Sequence, residues 1–203
     1  MSHPKLLAAK LPANVRRSAT VDAVIALAAT TNPADITTAQ IAAHMGVTQG
    51  ALFRHFTDKQ AVWVAVMDWT ADTLLARIDA VTGATPIDRL RGMFAAHISF
   101  VIEYVGIPRI LFGELQRDGG APGKVRAQAL MHAYRVRVLN LIDEAKLQGQ
   151  IKPQTDPAAA AAMFLGLVQG LVMQAMAADD FNAMRATSSA WFDFYLKGLE
   201  VDT

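Results

Sequence analysis

Several side chains suited to recognising a polyanion lie together in one short segment, Ile36 to Gln60: Gln49, Arg54, His55 and Lys59. In the major groove of a duplex, a glutamine amide can pair with the edge of adenine and a guanidinium with the edge of guanine. Basic side chains can also contact phosphates, which position a protein on the duplex. The residue types in this segment therefore favour binding to nucleic acid.

Catalytic chemistry has no comparable support in the sequence. We find no nucleophile beside a base, no phosphate-binding loop, no metal-ligand spacing and no cysteine. His97 and His132 fall on different predicted helices and have no carboxylate ligand at a suitable spacing. We therefore predict that the protein is not an enzyme and has no metal site and no cofactor.

Basic charge is concentrated near the N-terminus. The net charge of the 203-residue chain is +1, yet residues 1–59 carry six basic side chains, Lys5 and Lys10 among them, against three acidic ones. The remainder carries thirteen basic and fifteen acidic side chains. This asymmetry predicts a polyanion-binding surface in the N-terminal part. The lack of cysteine and of a secretory signal is typical of a cytoplasmic protein, which is the location we expect.

Dense helix punctuation and weak strand signals predict an all-α protein of about nine helices. Thr57 and Gln60 are expected to form a capping box at the start of a long helix that Gly83 ends, while Gly106 and Pro108 should break a later helix. The predicted helices cover about 14–29, 39–45, a segment from 48, 57–82, 85–104, a short segment to 117, 124–148, 155–178 and 184–199.

The recognition residues fall on a predicted pair of short helices joined by a tight turn. Thr38 and Thr48 should cap the two helices, Ala42 is the small residue where they cross, and Gly46 tolerates a positive φ in the turn. Leu52 and Phe56, one turn apart on the second helix, should face inward and leave Gly50 and Arg54 exposed. The alternative is a compact three-helix bundle whose basic edge meets only solvent.

The segment "TTAQIAAHMGVTQGALFRHFTDKQAVWVAVM" resembles the DNA-binding signature of the tetracycline-repressor (TetR) family. It has the Thr-capped helix, the Ala-Gly spacing, a Gly-x-Leu-aromatic-x-His-Phe run and an acid-Lys pair that opens the next helix. Phe53 replaces the usual Tyr, so a hydroxyl that often meets a phosphate is missing. By position, the resemblance implies DNA contacts from Thr38, Thr48, Gln49, Gly50, Ala51, Phe53, Arg54, His55 and Lys59.

The resemblance also implies a DNA-binding domain over residues 1–57 and a helical effector-binding and dimerisation domain over 58–203. Polar groups among apolar helices are what a small-molecule pocket needs. The candidate ligand-binding residues are Met67, Phe94, His97, Val101, Tyr104, Phe112, Tyr134, Gln169 and Met173. The alternative for each is a role in the core, where a histidine can be satisfied internally and aromatic or methionine stripes only fill space.

A charge-free run, Ala158 to Ala178, is long enough to cross a bilayer, but acidic residues flank it and basic anchors do not. We therefore predict a buried or interfacial helix and no membrane span. This helix and the last predicted helix, 184–199, could together form a four-helix dimer interface with the same two helices of a second subunit, about a two-fold axis. The alternative is that both only cover the core of one subunit. The candidate interface residues are Gly166, Gly170, Trp191, Phe194, Tyr195 and Leu199.

These patterns favour a homodimeric transcriptional regulator, most simply a repressor. Its expected partners are a palindromic double-stranded DNA operator and a small, mostly apolar effector that releases it. The alternative is a DNA-associated structural or division protein that uses the same architecture without a ligand.

Overall fold

The computed structural model describes residues 13–201, with side chains from residue 15, and this part of the chain is all-α with nine helices, as predicted. Lys5 and Lys10 lie outside the described residues. The helices are α1 (Ala13–Ala28), α2 (Thr38–His44), α3 (Gln49–Leu52), α4 (Lys59–Asp79), α5 (Pro86–Glu103), α6 (Gly106–Leu115), α7 (Pro122–Leu147), α8 (Pro157–Ala178) and α9 (Ala183–Leu199).

The chain folds into two compact units. Unit 1 contains the residues up to 72 together with 104–128, and unit 2 contains 73–103 together with the residues from 129 onward. Two helices, α4 and α7, contribute residues to both units. This structural division is not the functional boundary expected at residues 57 and 58, which stays a prediction.

In unit 1, α2 and α3 are short helices whose ends are fixed by threonine caps and a glycine turn. The N-cap of α2 is Thr37, not the predicted Thr38: its hydroxyl accepts from the Gln40 amide and the Gln40 side chain accepts from the Thr37 amide. Thr48 caps α3 as predicted, accepting from the Ala51 amide. Gly46 has φ +67°, the left-handed conformation that the turn was expected to need.

The start of α4 differs from its prediction. The Asp58 carboxylate accepts the amide hydrogen of Ala61 at 2.8 Å, so Asp58 performs the capping expected of Thr57. Gln60 does not reach back to close a capping box. Its amide instead donates to Glu114 on α6, also in unit 1, at 3.5 Å. A tertiary partner thus replaces the local partner that the sequence pattern indicated.

One helix boundary predicted from glycine is displaced, because α4 ends at Asp79, before Gly83. The predicted break near Gly106 and Pro108 is present: α5 ends at Glu103 and α6 begins at Gly106, with both residues inside its first turn. Proline is tolerated in a first turn because that amide has no helical acceptor. At the start of α5, Thr85 and Asp88 form a capping box in which each side chain accepts from the other residue's amide.

Unit 2 is built around aromatic side chains. The rings of Phe94, Phe164 and Phe192 pack with centroids 4.9 to 6.0 Å apart, and all three side chains are buried. Helix α8 packs mainly on α9 and also contacts α5. Such aromatic clusters contribute large apolar areas and fix the relative positions of the helices that carry them.

Among the described residues, α8 is the one helix long and apolar enough to cross a bilayer, and 39% of its most apolar window is buried inside the protein. Its contacts with α5 and α9 agree with the prediction of a helix that packs on protein.

Candidate functional site

The exposed face of the α2–α3 pair carries most of the predicted recognition residues. Leu52 and Phe56 are each 2% exposed, as expected for residues that hold α3 against α1 and α2. The opposite face presents Thr48, Gln49, Gly50 and Arg54 to solvent, with Ala51 half-buried beside them. The face is therefore accessible to a partner such as DNA.

Gln49 is held in place before any partner binds. Its side-chain nitrogen Nε2 donates a 2.6 Å hydrogen bond to the hydroxyl of Thr38, at the start of α2. The bond leaves the amide oxygen and one N–H of Gln49 available, the pair of groups that matches the N6 and N7 edge of adenine. Thr38 therefore acts in this arrangement as an orienting residue for Gln49.

His55 and Arg54 lie at the edge of an open groove of about 890 Å³ between α1 and the helix pair. Arg16 on α1 donates from Nη1 to His55 Nε2 at 3.2 Å. Because a guanidinium is only a donor, this bond places the proton of a neutral His55 on Nδ1. Two cationic side chains, Arg16 and Arg54, line this groove.

Lys59 is less available to a phosphate than the sequence suggested. Its Nζ donates to the carbonyl of Ala34 at 3.3 Å and lies 5.6 Å from the ring centroid of Trp63. Partial burial lowers the pKa of Lys59, and the nearby Arg117 acts in the same direction. Phe53, by contrast, is 42% exposed, an apolar ring on the polar recognition surface.

Unit 1 also contains a buried carboxylate that the sequence analysis did not single out. Glu114 is 5% exposed and contacts Gln60, Arg117 and the Cα side of Gly123. Burial raises its pKa, while Arg117 and Gln60 oppose that change. No sequence signal indicated this burial, because Gln60, which donates to the carboxylate, lies 54 positions away along the chain.

The predicted ligand residues are divided between the two units. Met67, Tyr104 and Phe112 belong to unit 1, where Met67 is fully buried and Tyr104 packs edge-on against Trp69. The other predicted residues belong to unit 2, and they differ in burial. Phe94, Val101 and Tyr134 are buried, His97 and Gln169 are half-buried, and Met173 is 53% exposed on the outer surface of α8.

Within unit 2, His97 and Tyr134 form a polar pair. Their ring centroids are 5.1 Å apart, and both His97 Nδ1 and Tyr134 Oη are buried without a hydrogen-bond partner among the described residues. Burial lowers the pKa of His97 from 6.5 to about 4 and raises that of Tyr134, so both side chains are neutral at physiological pH. Such a pair differs from the satisfied core histidine that was the simpler expectation.

The predicted dimer residues divide between the surface and the core. Phe194 is 74% exposed and Gly166 is exposed, with Gly170 and Trp191 half-buried beside them. Tyr195 and Leu199 instead point into unit 2, 4% and 7% exposed, which removes them from any surface that a second subunit could meet. Tyr195 is fixed there because its hydroxyl donates to the Ala160 carbonyl at 3.0 Å.

An apolar surface remains on α8 and α9, and we call it the α8–α9 face. It contains the exposed Met163, Met173 and Phe194 together with Gly166, and the sequence analysis missed Met163. Met163 lies three positions before Gly166, a helical spacing that could have identified it.

Two family models match the chain. The one for bacterial regulatory proteins of the tetR family covers residues 21–66, and the one for the tetracyclin repressor-like C-terminal domain covers residues 86–191. A curated relative, the nucleoid occlusion factor SlmA from Idiomarina loihiensis, is 26% identical over 161 residues, which is 78% of this chain and 82% of the relative.

Solved structures of regulators share the fold. The ketosteroid transcriptional regulator KstR2 of Mycobacterium tuberculosis matches with a TM-score of 0.77 and 20% identity over 92% of this chain and 96% of that one. AibR, solved with isovaleryl coenzyme A and operator DNA, matches with a TM-score of 0.66 and 24% identity over 78% of this chain and 86% of that one. With both halves of the chain matched and the recognition face exposed, the protein belongs to the tetracycline-repressor family of DNA-binding regulators.

Proposed function

We propose that this protein is a homodimeric transcriptional repressor that binds a palindromic operator and leaves it when a small molecule binds in the C-terminal part. The observation that carries the proposal is the exposed Gln49, oriented by Thr38 on a surface that also presents Arg54. A preoriented amide and a guanidinium read base edges, whereas neither is needed to stabilise the helices that carry them. The protein would act in the cytoplasm, where its DNA lies.

Dimerisation supplies a second recognition helix, which reads the second half-site of the operator. A recognition helix of four residues, α3, contacts few base pairs, and two copies related by a two-fold axis double the number that is read. The α8–α9 face supports this step, because its apolar side chains would be costly to leave in water and Gly166 would let a second helix approach closely.

Release requires an effector that binds one conformation better than the other. Helices α4 and α7 are the natural carriers of such a change, since each is continuous and contributes to both units. In this proposal the effector binds unit 2 and shifts the population towards a state in which the two recognition helices no longer match their half-sites.

The experiment is selection of random duplex DNA with the purified full-length protein, followed by sequencing of the bound pool. We expect an inverted repeat with half-sites about one helical turn apart, about 34 Å centre to centre. Arg54→Ala should lose enrichment of one position in each half-site. A pool without any enriched sequence at moderate salt would overturn the proposal.

A second function is favoured by the curated relative, which is named a nucleoid occlusion factor. In that case the protein would bind DNA to take part in cell division and would need no effector. Many binding sites spread over the chromosome, with no promoter among them, would favour this function. One or a few sites overlapping promoters would favour the repressor.

A further inference from the structure

In the interior of unit 2, two aromatic side chains that lie side by side each carry a polar atom that the fold itself does not use. His97 Nδ1 and Tyr134 Oη have no hydrogen-bond partner among the described residues, and their rings are 5.1 Å apart. Tyr134 is only 3% exposed. A buried polar group without a partner costs free energy, so a fold that keeps two of them side by side keeps them for something that binds.

The surroundings of the pair are apolar. The Tyr134 ring lies 6.1 Å from that of Phe164, which packs in turn on Phe94 and Phe192. A molecule that reached the two polar atoms would therefore place the rest of its body against aromatic rings.

Charge restricts the molecule further. None of the buried side chains of unit 2 that the structure describes is cationic. Arg91 lies over the Phe192 ring at 5.1 Å, but it is half-exposed and forms a 2.7 Å ion pair with Asp193. A carboxylate or phosphate placed at His97 and Tyr134 would lose its hydration without gaining a buried cationic partner from unit 2.

We propose that His97 and Tyr134 form the polar end of an effector site that takes an uncharged molecule, an apolar body that carries one carbonyl or hydroxyl oxygen. The Tyr134 hydroxyl donates to that oxygen, and His97 Nδ1 donates to a carbonyl or accepts from a hydroxyl according to its tautomer. The inference rests on the proposed function for its regulatory meaning, since it names the chemistry of the effector.

The oxygen could belong to a free ketone or alcohol or to the thioester of an acyl coenzyme A, whose charged part would stay outside the aromatic cluster. Four probes of similar shape separate these chemistries: benzophenone is the ketone, diphenylmethanol the alcohol, diphenylmethane the hydrocarbon without oxygen and diphenylacetate the anion. Isovaleryl coenzyme A serves as the thioester. The readout is the change in Tm of the full-length protein at saturating probe, followed by titration of the best probe.

We expect benzophenone or diphenylmethanol, or the thioester if that is the source, to raise Tm more than diphenylmethane and diphenylacetate do. In Tyr134→Phe, the affinity for the oxygen-bearing probe should fall about tenfold, since one hydrogen bond to the ligand is lost. Equal shifts from diphenylmethane or diphenylacetate, or no shift from any probe, would overturn the inference.

A matched pair of variants tests the site without any ligand. Tyr195→Phe removes a hydroxyl that donates to Ala160, so its Tm should fall. Tyr134→Phe removes a hydroxyl with no protein partner from the same unit, so its Tm should stay the same or rise by about 2–4 °C. A fall in both variants would mean that Tyr134 has a structural role, which would contradict the inference.

Operator binding is measured separately, so the two proposals fail in different ways. If the oxygen-bearing probe binds through Tyr134 but leaves operator affinity unchanged, the effector chemistry stands and the release mechanism is wrong. If diphenylacetate releases the operator, the release mechanism stands and the effector chemistry is wrong.

Discussion

Gln49 is the residue whose role the geometry defines most closely. With one N–H engaged by Thr38, its remaining donor and its acceptor match an adenine edge. Gln49→Ala should therefore cost about 1–3 kcal/mol at one base pair of each half-site and relax the preference there. Fluorescence anisotropy on the selected operator and on its single-base variants measures this effect.

Thr38→Val is the partner variant, because it keeps the shape of the side chain but removes the hydroxyl acceptor. It should give a smaller loss at the same base pair, since Gln49 remains but is no longer oriented. An equal weakening on every DNA sequence would show that both residues only position the protein on the backbone.

Phe53 offers a gain-of-function test. It is 42% exposed on the recognition face and stands where the family resemblance leads us to expect Tyr. Phe53→Tyr should restore a hydroxyl that can donate to a phosphate and tighten operator binding by about 1 kcal/mol, or roughly fivefold. The salt dependence should stay nearly unchanged, because a neutral side chain displaces no counterion. Weaker binding would mean that the apolar ring itself contacts the DNA.

His97 gives unit 2 a specific dependence on pH. Its folded pKa is about 4, below the ordinary value of 6.5, so the unfolded state binds more protons between these two values. The free energy of unfolding should fall as the pH is lowered through this window, by about 1–2 kcal/mol after allowance for the partial exposure of the ring. Urea unfolding at a series of pH values measures it.

The matched variant for this test is His97→Leu, which removes the titrating group. The unfolding free energy of wild type minus that of the variant should decrease as the pH is lowered from neutral to 4. A constant packing effect of the leucine shifts this difference equally at every pH and does not change its slope. A difference that does not change with pH would contradict the assignment of the low pKa to His97.

At the level of the helices, the contact of α6 with α1 depends on a missing side chain. A Cβ on Gly106 would lie within van der Waals overlap of the Ile25 carbonyl, which is backbone and cannot move aside. Gly106→Ala should therefore destabilise the protein by about 1–3 kcal/mol. Gly113, on the same helix, has nothing within 4 Å of the place that a Cβ would occupy, so Gly113→Ala should be neutral or stabilise by about 0.5–1 kcal/mol. Thermal unfolding compares the two variants, and equal stability would contradict the packing explanation.

Local patterns predicted the helices well because helices depend on local bonds. The caps at Thr48 and Thr85, the φ of Gly46 and the burial of Leu52 and Phe56 all follow from short spacings. Two caps nevertheless lie one residue away from their predicted positions, at Thr37 and Asp58. The larger errors concern contacts between residues far apart along the chain and the direction in which a side chain faces.

Gln60 shows the first kind of error, since it contacts Glu114 in place of its own helix end. Tyr195 shows the second kind of error, which concerns the direction of a side chain. The sequence indicated that α9 is rich in apolar residues, but it could not tell that Tyr195 faces the core while Phe194 faces outward. The His97–Tyr134 pair also requires coordinates, because the two residues lie on different helices.

For the whole molecule, the number of subunits decides how well a four-residue recognition helix can select DNA. The α8–α9 face exposes Phe194 at 74% and Met163 at 60%, two large apolar side chains. An aromatic anchor at the centre of an interface typically costs about 2 kcal/mol or more when it is replaced. Phe194→Glu should therefore yield monomers in sedimentation velocity and weaken operator binding more than about tenfold.

Leu147→Glu is the control, because Leu147 is 88% exposed but lies on α7, outside the α8–α9 face. The same change of charge there should leave both the sedimentation coefficient and operator affinity as in wild type. If Phe194→Glu stayed dimeric, the α8–α9 face would not be the dimer interface, and another surface would hold the two subunits together on the operator. If it became monomeric but bound the operator as tightly as wild type, one subunit would suffice for recognition, and palindromic reading would be wrong.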